Sequence, residues 1–348
     1  MRTLLETPDR IVENGKFNLG VFKSPFRNLN MLDADPLMGG AAPRALRRLR
    51  LKDWQHYAVI HPDFYFGTVI FDAGITAKTF FFAYDRRTGK LHEQRRMLPP
   101  GAAKVAESLF DGRSSAKLPG YKLEYENHID KGRHEIRADI AASKGIPALS
   151  GRFRALEDLS KVQPLIVSLP LGDASAMYSH KVVCPAEGEL KVGGESVRLD
   201  PTRDIALIDV HKAYYPRRFW WKWANFAAFD SKGRVIGANL TDNLIEDQRS
   251  WNECAIWHGP EISLLGPIKF EFDEADTKKP WRISDHDGRV ELDFAPQGLK
   301  VEDLNLGVFK THYRQPLGLF NGFLVDDSGE KHPVKDVFGV AEHMDSLL

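Results

Sequence analysis

Along the chain, short runs rich in Val, Ile, Phe, Tyr and Trp recur between turn-forming residues, and few stretches hold a helical period. Such a pattern predicts an all-β sandwich or barrel. His56–Ile60, Tyr65–Asp72 and Thr76–Tyr84 read as successive strands, and the turn from Asp85 to Lys90 sends Leu91–Met97 back against the third. Tyr121–Ile129, His134–Ala142 and Gly151–Leu156 continue the meander, with Asp130-Lys131-Gly132 as a tight turn. A second series follows: Gly188–Val192, Ser196–Leu199, Ile205–Val210, the strand around Trp221, Arg234–Leu240, Ala255–His258, Lys269–Phe272, Val290–Phe294 and Gly318–Val325. Helix is expected to be scarce, with Pro100–Phe110 and Val340–Leu348 the better candidates. Two meanders of about 170 residues each can close into antiparallel β-barrels in tandem, and an eight-stranded barrel has room for one small ligand. The expected domains are residues 1–186 and 187–348.

The segment from Asp209 to Asp230 is the richest in candidate chemistry. It holds Trp220, Trp221 and Trp223, three of the seven tryptophans, beside Tyr214 and Tyr215. Trp221, Trp223, Asn225, Ala227 and Phe229 alternate with Lys222, Ala224, Phe226 and Ala228, which fits a strand with two largely apolar faces. Such a strand is either covered on both sides or faces a non-polar ligand. Asp209 and His211 stand two apart, so on a strand they share a face, and a carboxylate beside an imidazole suits a general base or acid. Tyr214, Tyr215, Trp220, Trp221 and Trp223 are an aromatic box for a ring or polyene, with Arg217 or Arg218 placed to clamp a carboxylate tail. The bland readings are that Asp209 pairs with Lys212, Arg217 or Arg218, and that the aromatics are core. Asn252, Glu253 and His258 form a second polar group beside Trp251 and Trp257. In an apolar cavity Glu253 would hold its proton and could deliver it to an alkene or a leaving hydroxyl; its bland alternative is pairing with Lys222 or Arg249.

Composition adds mainly exclusions. The 348 residues carry 48 basic and 48 acidic side chains, so net charge argues for no particular partner and against nucleic acid. The cluster Arg44, Arg47, Arg48, Arg50 and Lys52 reads as a solvated face. Cys184 and Cys254 stand in no CxxC or Cys/His array, which indicates neither a disulfide framework nor a zinc site and suits a reducing cytoplasm. The first residues lack the apolar core of a secretory leader, and no run approaches the roughly 18 apolar residues of a membrane span. Met38-Gly39-Gly40 and Val192-Gly193-Gly194 lack the spacing of nucleotide-binding loops, and no GxSxG occurs. His180, His211, His258 and Asp209 lie at no spacing characteristic of zinc or iron. No cofactor and no metal are expected, and the oligomeric state is open.

Several phrases resemble the family known as domain of unknown function 2804. They include Arg50-Leu51-Lys52-Asp53-Trp54, Tyr178-Ser179-His180-Lys181, Asp209 through Trp223, Trp251-Asn252-Glu253, His258-Gly259 and Pro280-Trp281-Arg282. Val290 through Pro296, Gly318 through Gly322 and Gly339-Val340-Ala341-Glu342-His343 extend the likeness over most of the chain. The family carries no assigned activity. A weaker similarity links Gly188-Glu189-Leu190-Lys191-Val192-Gly193-Gly194 and Asp209-Val210-His211-Lys212 to tandem lipocalin-like proteins that include carotenoid hydratases. That group tends to read Asp-His-Glu-Trp at the second position, where this chain departs. The similarity implies two lipocalin-like barrels and a site near Asp209.

Together these readings lead to a cofactor-independent enzyme of hydratase, lyase or isomerase type acting on a small, mostly apolar or amphipathic molecule. Asp209, His211 and Glu253 are its expected catalytic residues. Tyr214, Tyr215, Arg218, Trp220, Trp221, Trp223, Asn252, His258 and Trp281 are its expected binding residues. One alternative is a carrier without chemistry. The other is a glycoside-active protein using Asp209 with Glu253 or Asp242 as paired carboxylates.

Overall fold

A computed structural model describes residues 2–34, 43–172, 175–305, 307 and 310–347 of the chain. Met38-Gly39-Gly40 lie outside the described residues. The fold is all-β with few short helices, as the period-two pattern predicts. Leu4–Tyr214 form one compact unit, and Tyr215 onward, joined by the first residues of the chain, forms another. The boundary expected after residue 186 is therefore corrected. Ala176–Val192 is one continuous strand of the first unit, and Ile205–Ala213 pairs with it from Met177↔Ala213 to Pro185↔Ile205.

In the first unit the main sheet is antiparallel. Its spatial order is Lys90–Leu98, Ala77–Asp85, Phe64–Asp72, Lys52–Ile60, Ile205–Ala213, Ala176–Val192, Leu149–Ala155, Arg133–Ile140, Tyr121–His128, Gly112–Leu118 and Ala103–Lys104. The sheet curls until Ala103–Lys104, at one end of the order, lies against Phe64–Asp72 near the other. Gly188 of the long strand Ala176–Val192 and Gly151 of Leu149–Ala155, both at positive φ (134° and 130°), approach the facing backbone. A Cβ on Gly188 would sit 2.4 Å from the Arg152 carbonyl oxygen, a position only glycine tolerates.

Hydrogen bonds between strands that are not neighbours identify the interior of this sheet. The Tyr57 hydroxyl donates to Asn127 Oδ1 at 2.6 Å, and Thr79 Oγ1 meets the Tyr121 hydroxyl at 3.0 Å. Period two then places Gln55, Tyr178, His180, Val210 and Lys212 on the inner face. Trp54, His56, Ser179, Lys181, Asp209 and His211 fall on the outer one.

The second unit is a nine-stranded antiparallel sheet. Its order is Glu261–Leu264, Ala255–His258, Val235–Asn243, Arg218–Phe229, Lys331–Leu347, Lys310–Val325, Val290–Asn305, Trp281–Asp285 and Ile268–Glu271. It too curls, bringing Ile268–Glu271 against Val235–Asn243. The inner face is apolar: Phe226, Ala238, Ile256, Phe270, Trp281, Phe294, Phe320 and Leu324 form one buried cluster. Neither expected longer helix is present. Residues 340–347 belong to the strand Lys331–Leu347, and 100–110 hold turns and the two-residue strand Ala103–Lys104. Among the described residues the α-helix is Arg44–Arg50, which buries no residue and whose basic side chains are engaged locally. Arg47 donates to the carbonyls of Leu32 and Ala34, while Arg48 pairs with Asp72.

Candidate functional site

On the outer face of the first unit, the register sets Lys181 opposite Asp209 and Ser179 opposite His211 in one pair, and His56 opposite Asp209 and Trp54 opposite His211 in the other. Asp209 and His211 therefore share a face. Lys181 Nζ donates to Asp209 Oδ1 at 2.7 Å, and this ion pair replaces the expected pairing with Lys212, Arg217 or Arg218. Lys212 points inward to Asp53 at 2.6 Å, and Arg218 meets Asp345 at 2.8 Å. The His211 ring stacks on Trp54 with centroids 4.3 Å apart and planes 21° from parallel.

Electrostatics separates the two groups. Burial alone would raise the Asp209 carboxyl, but the Lys181 ammonium and His211 outweigh it and hold it below its usual range. Burial, reinforced by Lys181, pushes His211 down to about 3 against the opposing pull of Asp209. At neutral pH the face presents a carboxylate, an ammonium and a neutral imidazole.

The second unit carries its own polar cluster on the face away from its apolar core. Trp221 Nε1 donates to Glu342 Oε2 at 2.9 Å, and Gln315 Nε2 donates to Glu342 Oε1 at 2.7 Å. The Tyr313 hydroxyl donates to the same Oε1. Trp223 Nε1 donates to Asn239 Oδ1 at 2.7 Å, and Asn239 in turn donates to the Glu253 carbonyl. Glu253 itself is buried. Lys222, offered as its partner by the sequence, lies nearest Asp242 at 3.8 Å.

The expected aromatic box is divided. Tyr215 stacks on Phe219 at 4.5 Å and Phe219 on Trp221 at 5.9 Å, a row on one face of the second unit. Trp220 is on the opposite face, beneath the Lys222 ammonium at 5.7 Å. Tyr214 belongs to the first unit, in an apolar cluster with Phe26, Met31 and Tyr178. Arg218 is largely exposed, with 72% of its side chain open to solvent, so its charge is spent at the surface. Trp281 is core, stacked on Phe272 at 3.7 Å with its indole N–H on the Thr277 carbonyl at 3.0 Å.

Nor do Asn252, Glu253 and His258 form one group. Asn252 braces a loop, donating to the Gln248 and Leu265 carbonyls and accepting from the Cys254 N–H. His258 instead faces Ser263, Asp326 and His332. A groove of about 770 Å³ on the first unit, lined by Arg152, Arg154, Glu187, Arg198, Asp200 and Arg203 among others, contains none of the expected site residues.

Lys181, Gln315 and Tyr313 were not assigned roles from the sequence. Their partners lie 28, 27 and 29 residues away, so only strand register reveals them.

The chain is similar in fold to the crystal structure of CghA with Sch210972. The TM-score is 0.57 at 11% identity, covering 85% of this chain and 88% of that one. A lower similarity, with a TM-score of 0.46 at 11% identity and the same coverages, is found with kievitone hydratase from Nectria haematococca. No curated protein sequence matches the chain. Over residues 3–347 it matches the model of one family, in agreement with the phrases from Arg50 to His343, and so belongs to the family described as domain of unknown function (DUF2804).

Proposed function

We propose that the protein is an acid/base enzyme of hydratase, lyase or isomerase type that needs no cofactor for its proton transfers and acts on a small, mostly apolar or amphipathic molecule. The observation that carries this reading is the set Lys181, Asp209 and His211 on one sheet face beside Trp54, with Lys181 and His211 buried and Asp209 half-buried. An ionised carboxylate 2.7 Å from an ammonium supplies a base and an acid that can exchange a proton with a bound substrate. Lys181 keeps the Asp209 carboxyl ionised, so Asp209 is the group free to accept a proton. The neutral His211 ring, stacked on Trp54, orients a polar group of the substrate. Glu253 supplies a further buried carboxylate in the second unit.

The test begins with organic-solvent extraction of the purified protein and native mass spectrometry to identify a bound compound. That compound is then incubated with stripped protein in D2O. Wild-type protein is expected to introduce deuterium or convert the compound, and Asp209→Asn to slow this by about 10²- to 10⁴-fold. A compound returned unaltered by wild type, and bound equally by Asp209→Asn, would sink the enzymatic reading.

That outcome would favour a carrier, a reading supported by the stacked row Tyr215, Phe219 and Trp221. For a carrier, Trp221→Ala weakens binding while Asp209→Asn leaves it unchanged.

A further inference from the structure

We propose that His258, Asp326 and His332 form a binding site for a divalent transition-metal ion at one rim of the second unit's apolar core. The inference is independent of the acid/base reading. Each of the three stands two residues from a member of that core: Ile256, Leu324 and Val334. Period two therefore aims His258 and His332, at the ends of their strands, to the same side as the core, and Asp326 follows directly on the strand that ends at Val325. Their ligand atoms all lie within 4.8 Å of one another. Asp326 Oδ2 is 2.8 Å from His332 Nε2 and 3.7 Å from His258 Nδ1. An ion about 2.0–2.2 Å from each ligand atom requires neighbouring ligand atoms about 3 Å apart, so small side-chain movements suffice.

The surroundings are built to orient these ligands. Asp326 Oδ1 accepts from the Ser328 N–H, the Ser328 hydroxyl and the Glu330 N–H, at 2.9, 2.6 and 3.0 Å. The turn thus fixes the carboxylate and leaves Oδ2 toward both imidazoles. His258 Nε2 lies 3.0 Å from Ser263 Oγ, which also accepts from the Asp327 N–H at 2.8 Å. With Nε2–H donating to Ser263, Nδ1 is left as the bare nitrogen facing Asp326. A ligating histidine commonly fixes its other ring nitrogen in this way.

The side chains are 13%, 3% and 6% exposed for His258, Asp326 and His332, so the site is sheltered yet open past His258. Two imidazoles and one carboxylate suit zinc, iron(II), cobalt or nickel, with coordination positions left for water. A bound ion would tie the turn at Asp326 to the hairpin between His258 and Glu261, segments already joined by the Asp327 N–H bond to Ser263.

The experiment uses the full chain without a polyhistidine tag, stripped with chelator and dialysed against Zn2+ or Co2+. The expected result is about one ion retained per chain, with visible ligand-field absorption for Co2+. His258→Ala and His332→Ala should each abolish stoichiometric retention, and Ser263→Ala should weaken it by about 10-fold. His312→Ala, near the far end of the strand Lys310–Val325 from Asp326 and paired with Asp303, should change nothing. Circular dichroism in chelator separates loss of ligand from loss of fold. Wild-type protein that retains no more ion than the His258→Ala/His332→Ala double variant would overturn the proposal and leave a hydrogen-bonded triad.

Discussion

Both sheets line their interiors with apolar side chains, but they differ in what else those interiors hold. Inside the second unit, Phe320 stacks on Phe226 and lies tilted against Phe294, both at 4.5 Å, and Trp281 packs edge-on to Phe294 at 6.1 Å. Inside the first, a chain of polar side chains runs from the Tyr57 hydroxyl through Asn127 and His134 to Glu157 and on to His180. His134, Glu157 and His180 are wholly buried. An apolar interior is held by area removed from water and tolerates any pH. A buried carboxylate between two imidazoles is held by complementarity, and it fails once one member is altered.

The comparison is broken most severely at Glu157. Glu157→Ala should cost about 3–5 kcal/mol, because it leaves two buried imidazoles without their shared partner. Phe320→Ala should cost a similar amount, about 3–5 kcal/mol, through lost burial and the cavity left behind. Chemical denaturation of both variants at neutral pH measures the two costs.

Acid tells the two apart. Burial raises the Glu157 carboxyl, but His180 and His134 outweigh it and bring it down to about 2 from an ordinary value of 4.5. A depressed carboxyl contributes stability that is fully present above the unfolded value. That contribution is lost as pH falls from about 4.5 toward 2. Wild type and Phe320→Ala should therefore lose stability in parallel over this window, whereas Glu157→Gln should lose less than either. Parallel loss in all three would show that the polar interior does not set the acid limit.

A smaller effect is expected at the close backbone approach between Ala176–Val192 and Leu149–Ala155. Gly188→Ala should cost about 1–3 kcal/mol, since its φ of 134° and the 2.4 Å approach to the Arg152 carbonyl oxygen both resist a side chain. Ala138→Gly, two strands away in the same sheet, removes a buried methyl without such a conflict and provides the reference.

Strand after strand was legible from period two because most strands bury one face more deeply than the other. The end of Lys331–Leu347 was not. Gly339, Val340, Ala341 and Glu342 are all buried, so no alternation remains, and the segment reads equally well as a helix. Near Pro100 the chain is held by tertiary bonds, such as the Ala106 N–H on Ser114 Oγ at 2.8 Å, which no local pattern announces. Asp209 and His211 were legible because their spacing fixes a shared face. Lys181, Glu342 with its three donors, and the group His258, Asp326 and His332 depend on which strands become neighbours. The aromatic segment misled where it crossed a boundary: Tyr214 and Tyr215 are adjacent in sequence and belong to different units.

The mildest test concerns how the polar interior distributes its bonds. Tyr57→Phe removes one donor from Asn127 Oδ1 but leaves His134 Nδ1 at 3.0 Å on the same oxygen. No acceptor is orphaned, so the cost should be about 1 kcal/mol. Asn127→Leu is expected to cost more, because it strips partners from Tyr57 and His134 at once and removes the amide that reaches Gln55 and the Gly112 carbonyl. Denaturation midpoints of the two variants separate them. If they coincide, Asn127 is a space-filler and the buried chain is a set of independent pairs; if Asn127→Leu is clearly the worse, the interior acts as one connected network.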